Sequence, residues 1–83
     1  MLTIDVRFIA NELVPGLQSG EYEIQDGKNV RDLLTLCEEK CGAPIPEKNY
    51  KFMYPLLNGR PITLDSALIE SGTLHLCRVV TGG

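Results

Sequence analysis

The 83-residue sequence predicts an α+β domain in which a mixed sheet of four to five strands packs against one main helix. Short segments that alternate apolar and polar residues indicate half-buried strands. Residues 29–42 instead carry their apolar side chains at helical spacing. A chain of this length forms one domain, and we assign residues 1–83 to it, with 79–83 as a C-terminal tail.

The first two strands are predicted as a hairpin at the start of the chain. Residues 2–8 alternate between apolar and polar side chains, and residues 21–25 repeat that period of two. A turn-rich stretch at residues 15–20 joins these two segments. This loop is longer than the loops of the tightest hairpins, so the turn does not specify the register.

One helix is predicted after this hairpin. Asn29 is a typical N-cap residue, and Asp32 stands three positions later, close to the unpaired amides of the first turn. Gly42 suits a left-handed stop, and the two prolines of the 43–51 loop prevent the helix from resuming. The apolar residues of the predicted buried face are Val30, Leu33, Leu34, Cys37 and Cys41.

Three further strands are predicted in the second half of the chain. Residues 51–57 form the third strand, and an Asn-Gly turn signal separates it from a short fourth strand at residues 60–63. Pro55 has no N–H to donate to a sheet, so the third strand is expected at an edge or with a bulge. Residues 73–79 alternate again and form the last strand.

The predicted order of elements is therefore β-β-α-β-β-β. A single helix between the first hairpin and the later strands can cover one face of a mixed sheet. A right-handed crossover then places the last strand beside the first, in the middle of the sheet. This arrangement is a β-grasp, and the sequence predicts that fold for the whole domain.

Charge and cysteine content limit the expected partners and compartment. The formal net charge is −3 and no long basic run occurs, which argues against nucleic acid or a membrane as the main partner. We find no signal peptide and no apolar stretch long enough to span a membrane. Since 3 cysteines cannot all pair within the chain, we expect a reducing, cytoplasmic setting.

The sequence ends in Gly82-Gly83, the motif with the most specific chemistry. A C-terminal carboxylate becomes reactive when an enzyme activates it, usually as a mixed anhydride, so the chain end must enter a closed active site. Glycine lacks a Cβ, and its backbone can therefore pass a narrow channel and leave the acyl carbon open to attack. Five extended residues reach roughly 16–18 Å, enough to cross into another protein.

Four segments carry a resemblance to a known family: FIANELV at 8–14, NVRDLL at 29–34, LNG at 57–59 and VTGG at 80–83. With them the sequence resembles the small subunit of molybdopterin synthase and, more distantly, the thiazole-biosynthesis sulfur carrier and ubiquitin. The resemblance covers the whole chain and implies a ubiquitin-like β-grasp. Of the four segments, the ending alone is chemically specific, and the others are fold signals.

The resemblance implies a sulfur carrier that is not itself an enzyme and holds no cofactor or metal. A ubiquitin-activating-type enzyme would adenylate the Gly83 carboxylate, and a sulfur donor such as a cysteine desulfurase would supply the sulfur of a thiocarboxylate. Gly82 would provide clearance, and Thr81 and Val80 would thread into the partner with it. The large subunit of molybdopterin synthase would then use the sulfur to build the dithiolene of the molybdenum or tungsten cofactor.

Other functions stay open at this point. A carrier of this type could instead serve thiazole biosynthesis or act as a ubiquitin-like protein modifier. A β-grasp interaction module without tail chemistry is the alternative of a different class. Removal of the final glycine distinguishes the two classes, because it abolishes the function of a carrier and leaves that of an interaction module.

The third strand carries a candidate partner surface. Phe52, Tyr54 and Leu56 lie on one side of this strand, and the alternate residues on its other side are apolar as well. One helix can cover a single face of the sheet, so the uncovered side of this strand is a candidate partner surface, which we assign to Phe52, Tyr54 and Leu56. The alternative is that the 43–51 loop folds over it. The pattern itself leaves open which side is exposed.

The cysteines and the single histidine are interpreted as structural. Cys37 and Cys41 share the apolar helix face, so we expect buried core thiols rather than a metal or redox pair. Cys77 is expected to be an ordinary strand residue, although a persulfide acceptor is the chemical alternative. His75 has no nucleophile motif around it and is expected to be exposed and non-catalytic.

Overall fold

The computed structural model describes residues 1–80 and confirms the α+β class. These residues form one five-stranded sheet with one α-helix packed on it, as predicted. The elements in chain order are β1 (Leu2–Phe8), β2 (Gly20–Ile24), α1 (Val30–Cys41), β3 (Met53–Leu57), β4 (Arg60–Pro61) and β5 (Gly72–Arg78), with short 3₁₀ helices at Asn11–Leu13 and Glu47–Phe52.

The strand order across the sheet is β2-β1-β5-β3-β4. β5 runs parallel to β1 and antiparallel to β3, so the last strand lies beside the first in the middle of the sheet, as predicted. Leu74 in β5 stands opposite Val6 on one side and Leu57 on the other. The central strand therefore ties the two halves of the chain together.

The core lies between α1 and one face of the sheet. Buried and more exposed residues alternate along β1, which confirms the period of two in its sequence. The second face of the sheet is left without a helix among the described residues. The largest fully buried side chains are Ile4, Leu33, Leu34, Leu68, Leu74, Leu76, Val6, Val14, Val30 and Cys37.

Both ends of α1 are set by the residues predicted to set them. The Asn29 side chain accepts a hydrogen bond from the Asp32 amide at 2.9 Å, and the Asp32 carboxylate accepts one from the Asn29 amide at 3.0 Å. This reciprocal pair is a capping box, which satisfies two amides that the first turn leaves unpaired. Gly42 ends the helix at φ 65°, in the left-handed region.

We expect Asn29→Ala to lower the free energy of unfolding by about 1 kcal/mol, because the helix loses the acceptor for its Asp32 amide. Chemical denaturation measures the change. Asn29→Ser is the matched control, since a serine hydroxyl can accept the same hydrogen bond and should retain most of the stability. Equal losses in both variants would contradict a capping role.

The third strand begins later than predicted. Residues 47–52 form a 3₁₀ helix, and the strand starts at Met53 rather than at Lys51. The Asn49 amide donates to the Pro46 carbonyl at 2.9 Å, and the Asn49 side chain donates to the Leu13 carbonyl at 2.9 Å. The second of these bonds links residues far apart in sequence, so local patterning could not indicate it.

The prediction that Pro55 places its strand at an edge or in a bulge was wrong in detail. β3 is the penultimate strand and pairs with β4, and its ladder to β5 is continuous. The Pro55 carbonyl accepts from the Ile62 amide at 3.0 Å, so the ring nitrogen also faces the β4 side. β4 ends at Pro61, so the N–H that Pro55 lacks would fall beyond the end of the β3–β4 ladder.

Candidate functional site

Three residues of the predicted tail, Thr81, Gly82 and Gly83, lie outside the described residues. The structure describes how the chain approaches them. β5 ends at Arg78, and the Val79 amide donates to the Phe52 carbonyl at 2.7 Å. Val80 follows with 91% of its surface exposed. The central strand thus leads directly to an exposed valine at the start of the predicted threading segment.

Tyr54 and Leu56, two of the predicted partner residues, lie on the sheet face opposite α1, which we call the open face. The third, Phe52, ends the 3₁₀ helix before β3 and packs partly against the core. Tyr54 is 42% exposed, and Phe52 and Leu56 are half-buried, whereas the alternate β3 residues point into the core. The 43–51 loop does not bury Tyr54. Ile45 of that loop is itself buried in the core cluster. The structure therefore decides which side of β3 is exposed, a choice that the sequence pattern left open.

Residues from β5 extend the apolar strip of the open face. Cys77 stands opposite Tyr54, and His75 stands opposite Leu56. Both β5 side chains are half-buried, and a shallow pocket of about 280 Å³ lies nearby between Tyr54, Arg78 and the two valines that follow. The sequence pattern gives no link between these residues, because only strand pairing shows that Cys77 lies opposite Tyr54 and His75 opposite Leu56.

Two cations lie over one ring at the base of the tail. The Arg78 guanidinium carbon is 5.1 Å from the centroid of the Phe52 ring, and the Lys51 ammonium nitrogen is 5.2 Å from it. Both distances are within the range of cation–π attraction. Arg78 also approaches the Glu12 carboxylate at 3.4 Å. Sequence reasoning missed this cluster, since its members lie on three separate segments.

The helix cysteines differ in their surroundings. Cys37 is buried as expected, and burial raises the pKa of its thiol to about 12, with the neighbouring Cys41 as the second cause. The expectation that Cys41 is buried was wrong. It is half-buried because it occupies the last turn of α1, beside the Tyr22 hydroxyl at 3.4 Å. Burial likewise raises the pKa of Tyr22.

Cys41 belongs to a small hydrogen-bonded group with Tyr22 and Gln18. The Tyr22 hydroxyl donates to the Gln18 carbonyl at 2.7 Å, and the Cys41 sulfur accepts from the Gln18 amide at 3.4 Å. Within residues 1–80 no three His, Cys, Asp or Glu side chains are close enough to hold a metal ion together.

We expect a bulky alkylating reagent at neutral pH to modify Cys37 far more slowly in the folded protein than after denaturation. The thiolate is the reactive form, and burial both shields Cys37 and raises its pKa. Mass spectrometry of digested peptides measures the rate at each cysteine. Cys41 and Cys77, which are half-buried, serve as internal controls and should react faster. Similar rates at Cys37 before and after denaturation would contradict a buried thiol.

Comparison with known proteins shows similarity at the level of structure. No family model and no curated protein sequence matches the chain. Molybdopterin converting factor subunit 1 from Pyrococcus furiosus has a TM-score of 0.65 at 18% identity, covering 96% of this chain and 100% of its own. SAMP1 from Haloferax volcanii has a TM-score of 0.63 at 17% identity, covering 98% and 99%. A designed protein based on ubiquitin has a TM-score of 0.62 at 17% identity, covering 98% and 92%.

The fold is the ubiquitin-like β-grasp. At 17–18% identity these similarities establish the fold of the chain alone. Its chemistry has to be argued from its own residues. In this β-grasp, Tyr54 and Leu56 share the open face, and Val80 lies beside Tyr54 at its border. In the described part of the chain, α1 is too short and too polar to cross a lipid bilayer.

Proposed function

We propose that this β-grasp protein is a sulfur carrier whose C-terminal Gly83 carboxylate is adenylated and then converted to a thiocarboxylate. The observation that carries the proposal is the Val80-Thr81-Gly82-Gly83 ending placed directly after the central strand. A strand held between two neighbours is a rigid base for a reacting end. Glycine at the last two positions keeps that end narrow.

The proposed chemistry has two steps and uses the carrier as a substrate. A ubiquitin-activating-type enzyme joins the Gly83 carboxylate to the AMP portion of ATP and releases pyrophosphate. A thiol reductant releases hydrosulfide from the persulfide of a donor such as a cysteine desulfurase and is itself oxidised to a disulfide. The hydrosulfide then attacks the acyl carbon and displaces AMP. The product is a thiocarboxylate, and the chain itself contributes no catalytic residue to either step.

Molybdopterin synthesis is the pathway we propose for the carried sulfur. The sequence resembles the small subunit of molybdopterin synthase in its ending and its helix entry, and the Pyrococcus furiosus neighbour is named as a subunit of molybdopterin converting factor. The partner that accepts the sulfur is then the large subunit of the synthase. These steps take place in the cytoplasm in our proposal, consistent with an odd number of cysteines.

The open face is the proposed docking surface for both partners. Tyr54 presents an exposed aromatic ring with a hydroxyl, a side chain that is favoured at the centres of protein interfaces. Phe52 and Leu56 extend the apolar area to either side of it. Because this strip borders Val79 and Val80, a partner that covers it also receives the start of the tail.

The function is tested by incubating the intact chain with ATP, a cognate activating enzyme and hydrosulfide, followed by mass spectrometry of the intact protein. We expect a product in which one oxygen atom at the C-terminus is replaced by one sulfur atom. A reaction without ATP is the control and should yield no product. If no activating enzyme from the same cell modifies the chain, the interaction-module alternative replaces the carrier function.

We expect Tyr54→Asp to lower kcat/KM for adenylation about tenfold or more, mainly through KM, because a charge replaces the central ring of the docking surface. The fold should persist, since Tyr54 is an exposed residue. Thr35→Asp is the matched control, because Thr35 is exposed on α1, away from the open face. Equal effects of the two variants would count against the open face as the docking surface.

A further inference from the structure

β2 is an outer strand of the sheet formed by residues 1–80. The N–H and C=O groups of every second residue in such a strand face away from its neighbour, here β1. The Thr3 amide donates to the Ser71 hydroxyl, so Thr3 directs its backbone groups away from β2. Its β2 neighbour Glu23 is therefore in a pair without mutual hydrogen bonds, and so is Glu21 two residues earlier. The N–H and C=O groups of Glu21 and Glu23 point outward from the sheet edge.

A groove of about 330 Å³ runs between this edge and α1, and we call it the edge groove. Ile24 of β2 and Leu36 of α1 contribute apolar side chains to it. Asp32 and Glu39 of α1 place carboxylates on its helix side, and Lys28 adds one ammonium group to the lining. It is the larger of the two pockets described above and lies at the opposite end of the strand order from β3.

A strand added beside β2 would meet a different environment on each of its two faces. Side chains of a strand alternate, so one set would lie against Ile24 and Leu36 in the edge groove. The other set would lie on the open side of the sheet, where Glu21 and Glu23 project into solvent. The first environment favours apolar residues, and the second favours lysine or arginine.

The charges at this edge disfavour a second copy of the chain as the occupant. An antiparallel pair of two β2 strands would place Glu21 or Glu23 of one copy opposite a glutamate of the other. Like charges directly opposite each other destabilise a strand pair. Charged edge residues are a common protection against such self-pairing. The same glutamates complement a partner with basic residues.

We propose that the edge groove binds an extended segment of another protein in which apolar residues alternate with lysine or arginine, and that this segment joins the sheet beside β2. Main-chain hydrogen bonds to Glu21 and Glu23 would provide affinity, and the alternating side chains would provide specificity. This site uses neither Gly83 nor Tyr54 and Leu56 of β3, which lie three strands away across the sheet. It therefore stands independently of the sulfur-carrier function, and both partners can be bound at once.

The probe for this site is a short, capped peptide that alternates valine with lysine, added to the isotope-labelled full chain in an NMR titration. We expect amide shifts concentrated at Glu21, Glu23 and Leu36. A peptide with glutamate in place of lysine should bind at least about tenfold more weakly, because it would meet the edge glutamates with like charge. Shifts concentrated at Tyr54 and Leu56 of β3, absence of saturable binding, or dimerisation through β2 would each overturn the proposal.

Variants at Glu23 separate the main-chain contribution from the charge. Glu23→Pro removes an outward N–H and keeps the ladder to β1, since that ladder does not use the Glu23 amide. Glu23→Gln removes the charge alone. We expect the proline variant to bind the peptide about tenfold more weakly than the glutamine variant. A double variant, Glu21→Lys with Glu23→Lys, tests the charge without a proline and should also lose about tenfold in affinity. Wild-type affinity in the proline variant or in the double variant would overturn the proposal.

Discussion

Deletion of Gly83 is expected to abolish thiocarboxylate formation while the β-grasp stays folded. The reaction needs a carboxylate at one position at the end of a narrow tail, and the deletion moves that carboxylate back by one residue. The core residues all lie earlier in the chain, so the deletion leaves the packing unchanged. Mass spectrometry of the reaction products and circular dichroism of the variant measure the two effects.

Matched variants show whether this loss reflects the tail chemistry. Addition of one residue after Gly83 should abolish the product as well, and Gly82→Ala should bind the activating enzyme but react slowly, because a Cβ narrows its clearance. His75→Ala and Cys77→Ser should still form the thiocarboxylate at saturating activating enzyme, since both border the docking surface and neither has a chemical role in the proposal. Thiocarboxylate on the shortened chain would refute the assignment of Gly83.

Leu74→Ala is expected to lower the free energy of unfolding by about 2–5 kcal/mol. Leu74 has no solvent exposure and lies in the central strand between Val6 and Leu57, so its truncation leaves a cavity that few neighbours can fill. Domains of this size have a total stability of roughly 4–12 kcal/mol, so the variant should be close to unfolding at physiological temperature. Urea denaturation at several temperatures measures the change.

Thr73→Ala is the matched control for Leu74→Ala. Thr73 is the preceding residue of the same strand, and its side chain points to the open face and is half-buried. We expect its truncation to change the free energy of unfolding by less than about 1 kcal/mol. A comparable loss in both variants would mean that the strand backbone, rather than the packing of Leu74, determines the stability.

Local signals allowed much of the fold to be predicted. Asn29 and Gly42 mark the ends of α1 because capping depends on residues within one turn of the helix. The turn after β3 was predicted from Asn58 and Gly59, which adopt φ angles of 51° and 82°. Such features follow from sterics and hydrogen bonds between residues close in the sequence, so the sequence pattern alone can predict them.

Long-range contacts account for the predictions that were wrong. The 3₁₀ helix at Glu47–Phe52 includes Asn49, whose side chain donates a hydrogen bond to the Leu13 carbonyl. No local sequence pattern near either residue indicates that contact. Pro55 does not lie at an edge, because a two-residue strand covers β3 just beyond it. The exposure of Cys41 depends on where the last helical turn lies relative to the sheet.

The features of the candidate site also divide into those that the local sequence determines and those that depend on long-range packing. The amino-acid order alone determined the Gly82-Gly83 ending and the alternation that places Tyr54 and Leu56 on one side of a strand. The tertiary structure decided which side of that strand is open to solvent. It also decided that the outer edge of the sheet is β2 and that a groove lies between this edge and α1. These features depend on how distant strands pair and which face the helix covers, and such choices are made by packing of the whole chain rather than by any one segment.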